Sequence, residues 1–238
     1  GSVPTIDKCV NIPSGKTAVV NVNNAVAKTV TVDAGGKLTI NAGQALTVKE
    51  TFTNNAGVND VIIESDGNLI QKDDVIAVAN SGAISAKRVV TIINNNQYNY
   101  LISPLIGTNL KTNIYENAGA FTNSAFTLYH NEANNYFNNS SGAYIVGRGL
   151  AVKEPTTGSG TINAYFKGVP MNGDFKYPLA NSNVGTATNL GYNLTGNPYP
   201  SNIDLVQLYK LKSNATNISP TFYFWDNTVN TITAQAGS

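Results

Sequence analysis

Asp33-Ala34-Gly35-Gly36-Lys37-Leu38-Thr39-Ile40 is followed without a gap by Asn41-Ala42-Gly43-Gln44-Ala45-Leu46-Thr47-Val48. Each unit is a turn around glycine and then a short strand whose alternate residues are apolar. A looser copy stands at Glu64-Ser65-Asp66-Gly67-Asn68-Leu69-Ile70-Gln71, and an imperfect one at Pro13-Ser14-Gly15-Lys16-Thr17-Ala18-Val19-Val20. Strands this short bury one small face each and cannot make a stable sheet alone. Stacking the copies as a parallel coil solves the problem by aligning Leu38, Ile40, Leu46, Val48, Ile63 and Leu69 inside. Each buried Leu, Ile or Val then contributes roughly 1.5–3 kcal/mol. A meander of antiparallel hairpins has the same periodicity and stays the alternative. The apolar runs Val61-Ile62-Ile63 and Val75-Ile76-Ala77-Val78 favour the coil, because continuous runs belong to strands covered on both faces.

Working outward, the expected organisation is a tag remnant and capping segment at 1–13, a β-solenoid at 14–86 and an aromatic-rich β-sandwich at 87–238. The Gly1-Ser2 start reads as a cloning scar on an excised fragment. Past Ala86-Lys87-Arg88 the glycine repeat stops, and Tyr and Phe become frequent. Eight strands are expected there: Arg88–Ile93, Tyr98–Ile102, Phe126–Tyr129, Ala143–Ala151, Gly160–Lys167, Asp174–Pro178, Gly191–Gly196 and Thr221–Trp225. Turn clusters such as Asn138-Asn139-Ser140-Ser141-Gly142 separate them, which is the texture of a sandwich or jelly roll. Ile203, Val206, Leu208 and Leu211 have the spacing of one short helix, started by Ser201 or Asn202. The predicted fold is therefore all-β: a short parallel β-solenoid followed by, and packed on, a β-sandwich or jelly-roll-like domain. The second part is expected to cap the strand edges at the end of the coil.

Composition narrows the function. Of 238 residues 12% are charged and the formal net charge is +1, so the basic stripe of a nucleic-acid binder is missing. No run of about 20 apolar residues predicts a membrane span. The single Cys9 cannot form an internal disulfide, although large domains persist in oxidising compartments without one. Abundant Asn, Thr, Gly and Ser with few charges suit strands and turns, as in many exported β-proteins.

Catalytic constellations are sparse. His130, beside Asn131 and Glu132, is the only histidine, and no Gly-x-Ser-x-Gly elbow accompanies it. A several-histidine zinc site is excluded. Glycoside hydrolysis needs two carboxyl groups about 5–9.5 Å apart. Asp73-Asp74 is the only adjacent acidic pair, and neighbours on a strand face opposite ways. No resident cofactor is expected. Calcium is a secondary expectation at Asp66-Gly67-Asn68, Asp73-Asp74 and Asp226-Asn227, where hard oxygens sit in turns without the full spacing of a calcium loop. Ligand binding is the more attractive chemistry. Tyr129, His130, Tyr136, Phe137, Tyr144 and Trp225 lie in or beside Asn-rich loops, and Tyr129, Tyr136 and Trp225 are the candidate ligand-binding residues, because aromatic faces flanked by Asn amides suit sugar rings. Against that, Phe222 and Phe224 alternate with Tyr223 and Trp225, so one pair is expected to face the core.

Five segments, taken in order, resemble a module of large exoproteins of the Bacteroidota, especially flavobacteria. They are Tyr98-Asn99-Tyr100-Leu101-Ile102-Ser103-Pro104-Leu105, Gly147-Arg148-Gly149-Leu150-Ala151-Val152, Gly168-Val169-Pro170-Met171-Asn172-Gly173, Gly196-Asn197-Pro198-Tyr199-Pro200-Ser201-Asn202-Ile203-Asp204 and Phe222-Tyr223-Phe224-Trp225-Asp226. Such proteins often end in a type IX secretion sorting domain, a segment absent here. The resemblance implies export, a place on or outside the cell surface, and a stalk-and-head architecture with no implied reaction. It also implies secretion through a C-terminal domain outside this sequence. Relatives often place a Trp before the serine; this chain has Ile102. The Asn-Pro-Tyr-Pro stretch reads as a rigid structural corner, with Tyr199–Pro200 the candidate for a cis bond. The expected function is a non-catalytic surface module for spacing, display or adhesion, its partner an extracellular glycan or a surface protein. The alternatives are an auxiliary binding region of a secreted polysaccharide-degrading enzyme and, behind it, a β-helix hydrolase or lyase.

Overall fold

The structure, a computed structural model, describes residues 3–72, 79–92, 98–107, 127–140, 144–153, 160–183, 190–226 and 231–236. In the glycine-punctuated half the strands are three or four residues long and bury alternate side chains. Strands β1 (Val10–Ile12), β2 (Thr17–Val20) and β3 (Ala25–Ala27) make the first turn of a coil. β4 (Val30–Val32), β5 (Lys37–Ile40) and β6 (Ala45–Val48) make the second, and β7 (Phe52–Asn54), β8 (Val61–Ile63) and β9 (Asn68–Gln71) the third. Stacked strands pair in parallel, giving three faces: β1-β4-β7, β2-β5-β8 and β3-β6-β9. The apolar ladders run through the register. Val20 lies beside Ile40 and Ile40 beside Ile63 on one face, and Leu46 beside Leu69 on another. All six side chains expected inside are buried.

The stacking differs from the simplest reading of the repeat. The two tandem octads occupy adjacent faces of one turn, because a corner at Asn41–Gln44 redirects the chain between β5 and β6. Val10 pairs with Val30 and Leu38 with Val61, so a full circuit takes about 20–23 residues. The copy at Pro13–Val20 stacks on Asp33–Ile40, and Glu64–Gln71 stacks on Asn41–Val48. Glycine is required at the corners. A Cβ on Gly36 would stand 2.5 Å from the Ile12 carbonyl oxygen of the turn before. The run Val75–Val78 lies outside the described residues.

The second half carries β10 (Ile84–Ile92), β11 (Tyr98–Leu101), β12 (Leu105–Ile106), β13 (Thr127–Asn131), β14 (Tyr136–Asn139), β15 (Leu150–Lys153), β16 (Gly160–Pro170), β17 (Thr221–Asp226) and β18 (Thr231–Ala236). β10 continues one coil face by pairing in parallel with β8 through Ser85 and Ala86. It then pairs antiparallel with β16 along its whole length. The boundary expected at 86/87 therefore falls inside one strand, and the coil already begins with β1. A four-stranded head sheet, β11-β15-β13-β14, forms the other layer. Leu150 and Val152 of that sheet belong to the same hydrophobic cluster as Ile12, Ile63, Val90 and Phe166. Coil and sandwich share one core.

All three faces of the last turn are closed by later residues. On the first face Ser81 bridges Thr53, and Asn80 Oδ1 accepts from the Phe52 N–H at 2.9 Å. The Asn80 amide also exchanges hydrogen bonds with Gln71 and donates to the Pro170 carbonyl at 2.9 Å. On the second face β16 ends the parallel stack. On the third, the Leu69 N–H donates to the Pro200 carbonyl at 2.8 Å and the Asn202 N–H to Asn68 Oδ1 at 2.7 Å. The Asn-Pro-Tyr-Pro corner is thus a lid on β9. Pro198 and Pro200 are buried, the Tyr199 N–H donates to Asn197 Oδ1 at 3.1 Å, and the Tyr199 hydroxyl donates to the Gly173 carbonyl at 2.5 Å. The cis bond expected at Tyr199–Pro200 is absent; among the described residues every peptide is trans.

Several elements depart from expectation. Of the strand expected at Ala143–Ala151 only its end joins β15, because a turn with Gly147 at φ +81° leads into an isolated bridge between Arg148 and Thr195. Segments 174–178 and 191–196 form no ladder apart from that bridge. The Asn-rich stretch Tyr136–Asn139, read as loop, is strand β14, folded onto β13 around a 3-10 turn at Glu132–Asn134. The short helix α1 (Leu205–Lys210) is capped by Asp204 rather than Ser201 or Asn202. Asp204 Oδ1 accepts from Val206 and Gln207 N–H at 2.9 and 3.0 Å. A second short helix, α2 (Lys212–Ala215), follows.

Candidate binding surface

Register fixes which side chains share a face of the head sheet, since facing residues of an antiparallel pair project together. Tyr100 faces Ala151, Ala151 faces Leu128 and Leu128 faces Asn139. Two-residue alternation adds His130 and Phe137 to that side. The opposite side carries Leu150, Val152 and Thr127, all buried in the shared core. One face is core and the other is an aromatic surface.

On the aromatic side rings touch in series. His130 meets Phe137 edge-on at 5.3 Å between centroids, and Phe137 meets Tyr100 at 5.7 Å. Tyr100 stacks with Trp225 at 5.5 Å and an interplanar angle of 23°. Trp225 is fixed by its indole N–H, which donates to the Tyr98 carbonyl at 3.1 Å. Two residues back along β17, Tyr223 meets Tyr192 at 5.7 Å. Partial burial raises the Tyr100 phenol above its ordinary pKa.

The three candidate residues do not converge. Tyr129 lies on the core side, packed against the buried cluster, with the Arg148 guanidinium 4.9 Å above its ring, a cation–π contact. Tyr136 faces Asn131, on the same side but beyond the core, and is 66% exposed. Trp225 alone joins the aromatic series. The expectation that one pair of β17 faces the core is overturned, because neither Phe222 and Phe224 nor Tyr223 and Trp225 is buried. β17 pairs only with β18 as a two-stranded sheet, held on the surface by ring contacts. Phe137 was among the loop aromatics weighed from sequence; Tyr100, Tyr192 and Tyr223 were not weighed as ligand contacts. Tyr223 and Trp225, two apart on one strand, carried the available signal.

His130 is no general base of a triad. Its Nε2 meets Asn135 Oδ1 at 3.0 Å, and its buried Nδ1 meets no hydrogen-bond partner among the described residues, where a triad places a carboxylate. The nearby Glu132 carboxylate is buried and committed elsewhere. It accepts from the Ser182 N–H and hydroxyl, both at 2.6 Å, and from the Gly191 N–H at 2.7 Å. The Ser182 hydroxyl, then the Ser182 N–H, hold Glu132 below its ordinary pKa of 4.5; burial opposes them, and Gly191 and His130 add smaller pulls. Sequence gave no hint of this tether, whose partners lie 50 and 59 residues away. Burial pushes the Tyr144 phenol up to about 12, where its oxygen accepts from the Ser103 N–H at 3.2 Å.

Asp60 and Glu64 pair with Lys37 and Lys87 at 3.8 and 3.1 Å on the coil surface. Among the described residues no three acidic, His or Cys side chains gather as a metal site. Asp73-Asp74 and Asn227 lie outside the described residues. No helix among the described residues is long and apolar enough to cross a membrane.

Fold and surface together define a closed β-solenoid carrying a sandwich head with an aromatic outer face. Residues 1–237 match the family described as "Domain of unknown function (DUF8693)", and the chain belongs to that family. No curated protein and no solved structure matches the chain.

Proposed function

We propose that the chain is a non-catalytic module of the cell exterior, a short stiff coil that presents a β head for display or adhesion. The observation that carries this reading is the closure of the coil. Its last turn is closed on all three faces by later residues, Asn80 and Ser81 on one and strands and corners of the second half on the others, so the apolar ladder is spent on rigidity. The surface that remains for partners is the aromatic side of the head sheet. Large exposed apolar areas rimmed by polar groups mark interaction sites more often than chance burial defects. The resemblance to flavobacterial exoproteins supplies the export and cell-surface part of the proposal, with a type IX sorting domain as its route and an extracellular glycan or surface protein as partner.

Beads carrying the whole chain should adhere to surfaces coated with extracellular polysaccharide or surface protein more strongly than beads carrying an unrelated β-protein. Equal adhesion would overturn the reading. So would release of reducing sugar from plant or algal polysaccharide that disappears on Asp73→Ala or Asp74→Ala, since that outcome makes the chain an enzyme.

A further inference from the structure

We infer that the aromatic series Tyr192, Tyr223, Trp225, Tyr100 and Phe137 is the binding track for an extended, uncharged polysaccharide. This rests on the adhesive reading above and names its ligand. Tyr192 is 49% exposed, Tyr223 54% and Tyr100 37%, so the series is open at three points. Its members come from β11, β14, β17 and the 190–196 segment, which makes the track a line across several elements and not one loop. The rings form two contacting groups, Tyr192 with Tyr223 and Trp225 with Tyr100 and Phe137, which β17 joins through the two-residue spacing of Tyr223 and Trp225, and the indole is held by the Tyr98 carbonyl. A sugar therefore meets a preorganised surface and pays little side-chain entropy.

Charge selects the class of polymer. None of the five is an Asp, Glu, Lys, Arg or His, and two ionic groups of the head are engaged elsewhere: Arg148 on Tyr129, Glu132 on Ser182 and Gly191. An acidic polysaccharide would find no cation among these rings, and a basic protein no anion. Neutral sugar rings present C–H faces to aromatic planes and hydroxyl edges to amides. Asn139, exposed at the end of the same sheet row as Tyr100, supplies one such amide.

Trp225 is the only tryptophan and so reports on the track directly. Titration of the whole chain with xyloglucan, galactomannan, hydroxyethyl cellulose and laminarin, followed by Trp225 emission and by retardation in native affinity gels, should give saturable binding to at least one polymer. Polygalacturonate and alginate should give none. Tyr223→Ala and Tyr192→Ala, both at exposed positions, should each weaken that binding about tenfold or more. Tyr136→Ala, on the other side of the sheet, should leave it unchanged, with far-UV circular dichroism confirming that all three variants fold. No response to any neutral polymer overturns the inference, as does preferential binding of the acidic ones or an equal loss in Tyr136→Ala. If beads still adhere while no neutral polymer binds, the ligand assignment falls and the adhesive module stands. If neither occurs, both fall.

Discussion

In the coil each inward position repeats the chemistry of the position stacked on it: Val20 on Ile40 on Ile63, Leu46 on Leu69. In the head almost nothing repeats. A buried glutamate gathers three donors from distant segments, an indole hangs on a backbone carbonyl, and rings touch in a line across four elements. The coil is stabilised by many equivalent apolar contacts, and the head by a few specific ones. That difference places rigidity in the first half and recognition in the second, although one core joins them.

The comparison can be broken most severely in the apolar ladder. Phe52, fully buried in the last turn, should cost about 3–5 kcal/mol when replaced by alanine. Because the core is continuous, urea unfolding of Phe52→Ala should stay a single transition by both circular dichroism and Trp225 emission. Two separated transitions would show that coil and head unfold independently. Asn80→Ala attacks the seam itself. It strands the Phe52 N–H and the Pro170 carbonyl, and should cost about 1–3 kcal/mol, with protease sensitivity rising first near the end of the coil.

The head should respond to acid through Glu132. Glu132 has a lower pKa folded than unfolded, so its contribution is complete above about 4.5, its ordinary value, and is lost as pH falls through the lower folded value. Glu132→Gln should be less stable than the parent at neutral pH. The gap should close on acidification below that range, as read by thermal melts across pH. A gap independent of pH would mean that the tether is not ionic. The smallest effect belongs to Tyr136→Ala, whose wet ring should change stability by less than about 0.5 kcal/mol.

The coil was legible in the sequence because its inside is written at every second residue and its corners need glycine or a left-handed Asp66 and Asn24. What the octads could not reveal was which copy stacks on which. Stacking depends on corner lengths that vary around the circuit, and Asn41–Gln44 looks like any other turn until the register is seen. β14 escaped because its Tyr and Phe are set among asparagines that disfavour a strand, and it is ordered by pairing with β13. The aromatic track was legible only at Trp225 and Phe137. Its other rings come from segments far apart in sequence, and Tyr129 and Tyr136, the more conspicuous loop aromatics, turn to the opposite side.

The handover at β10 has one more consequence. A parallel stack has no intrinsic stopping point, since every new strand offers the next the same unpaired row of amides and carbonyls. By laying β16 against β10 in the reverse sense, the chain changes the polarity of its own growing end. The edge on which another rung of the coil would have stacked is thereby taken along its whole length by a strand of the same chain, so the fibre-like coil is stopped from within.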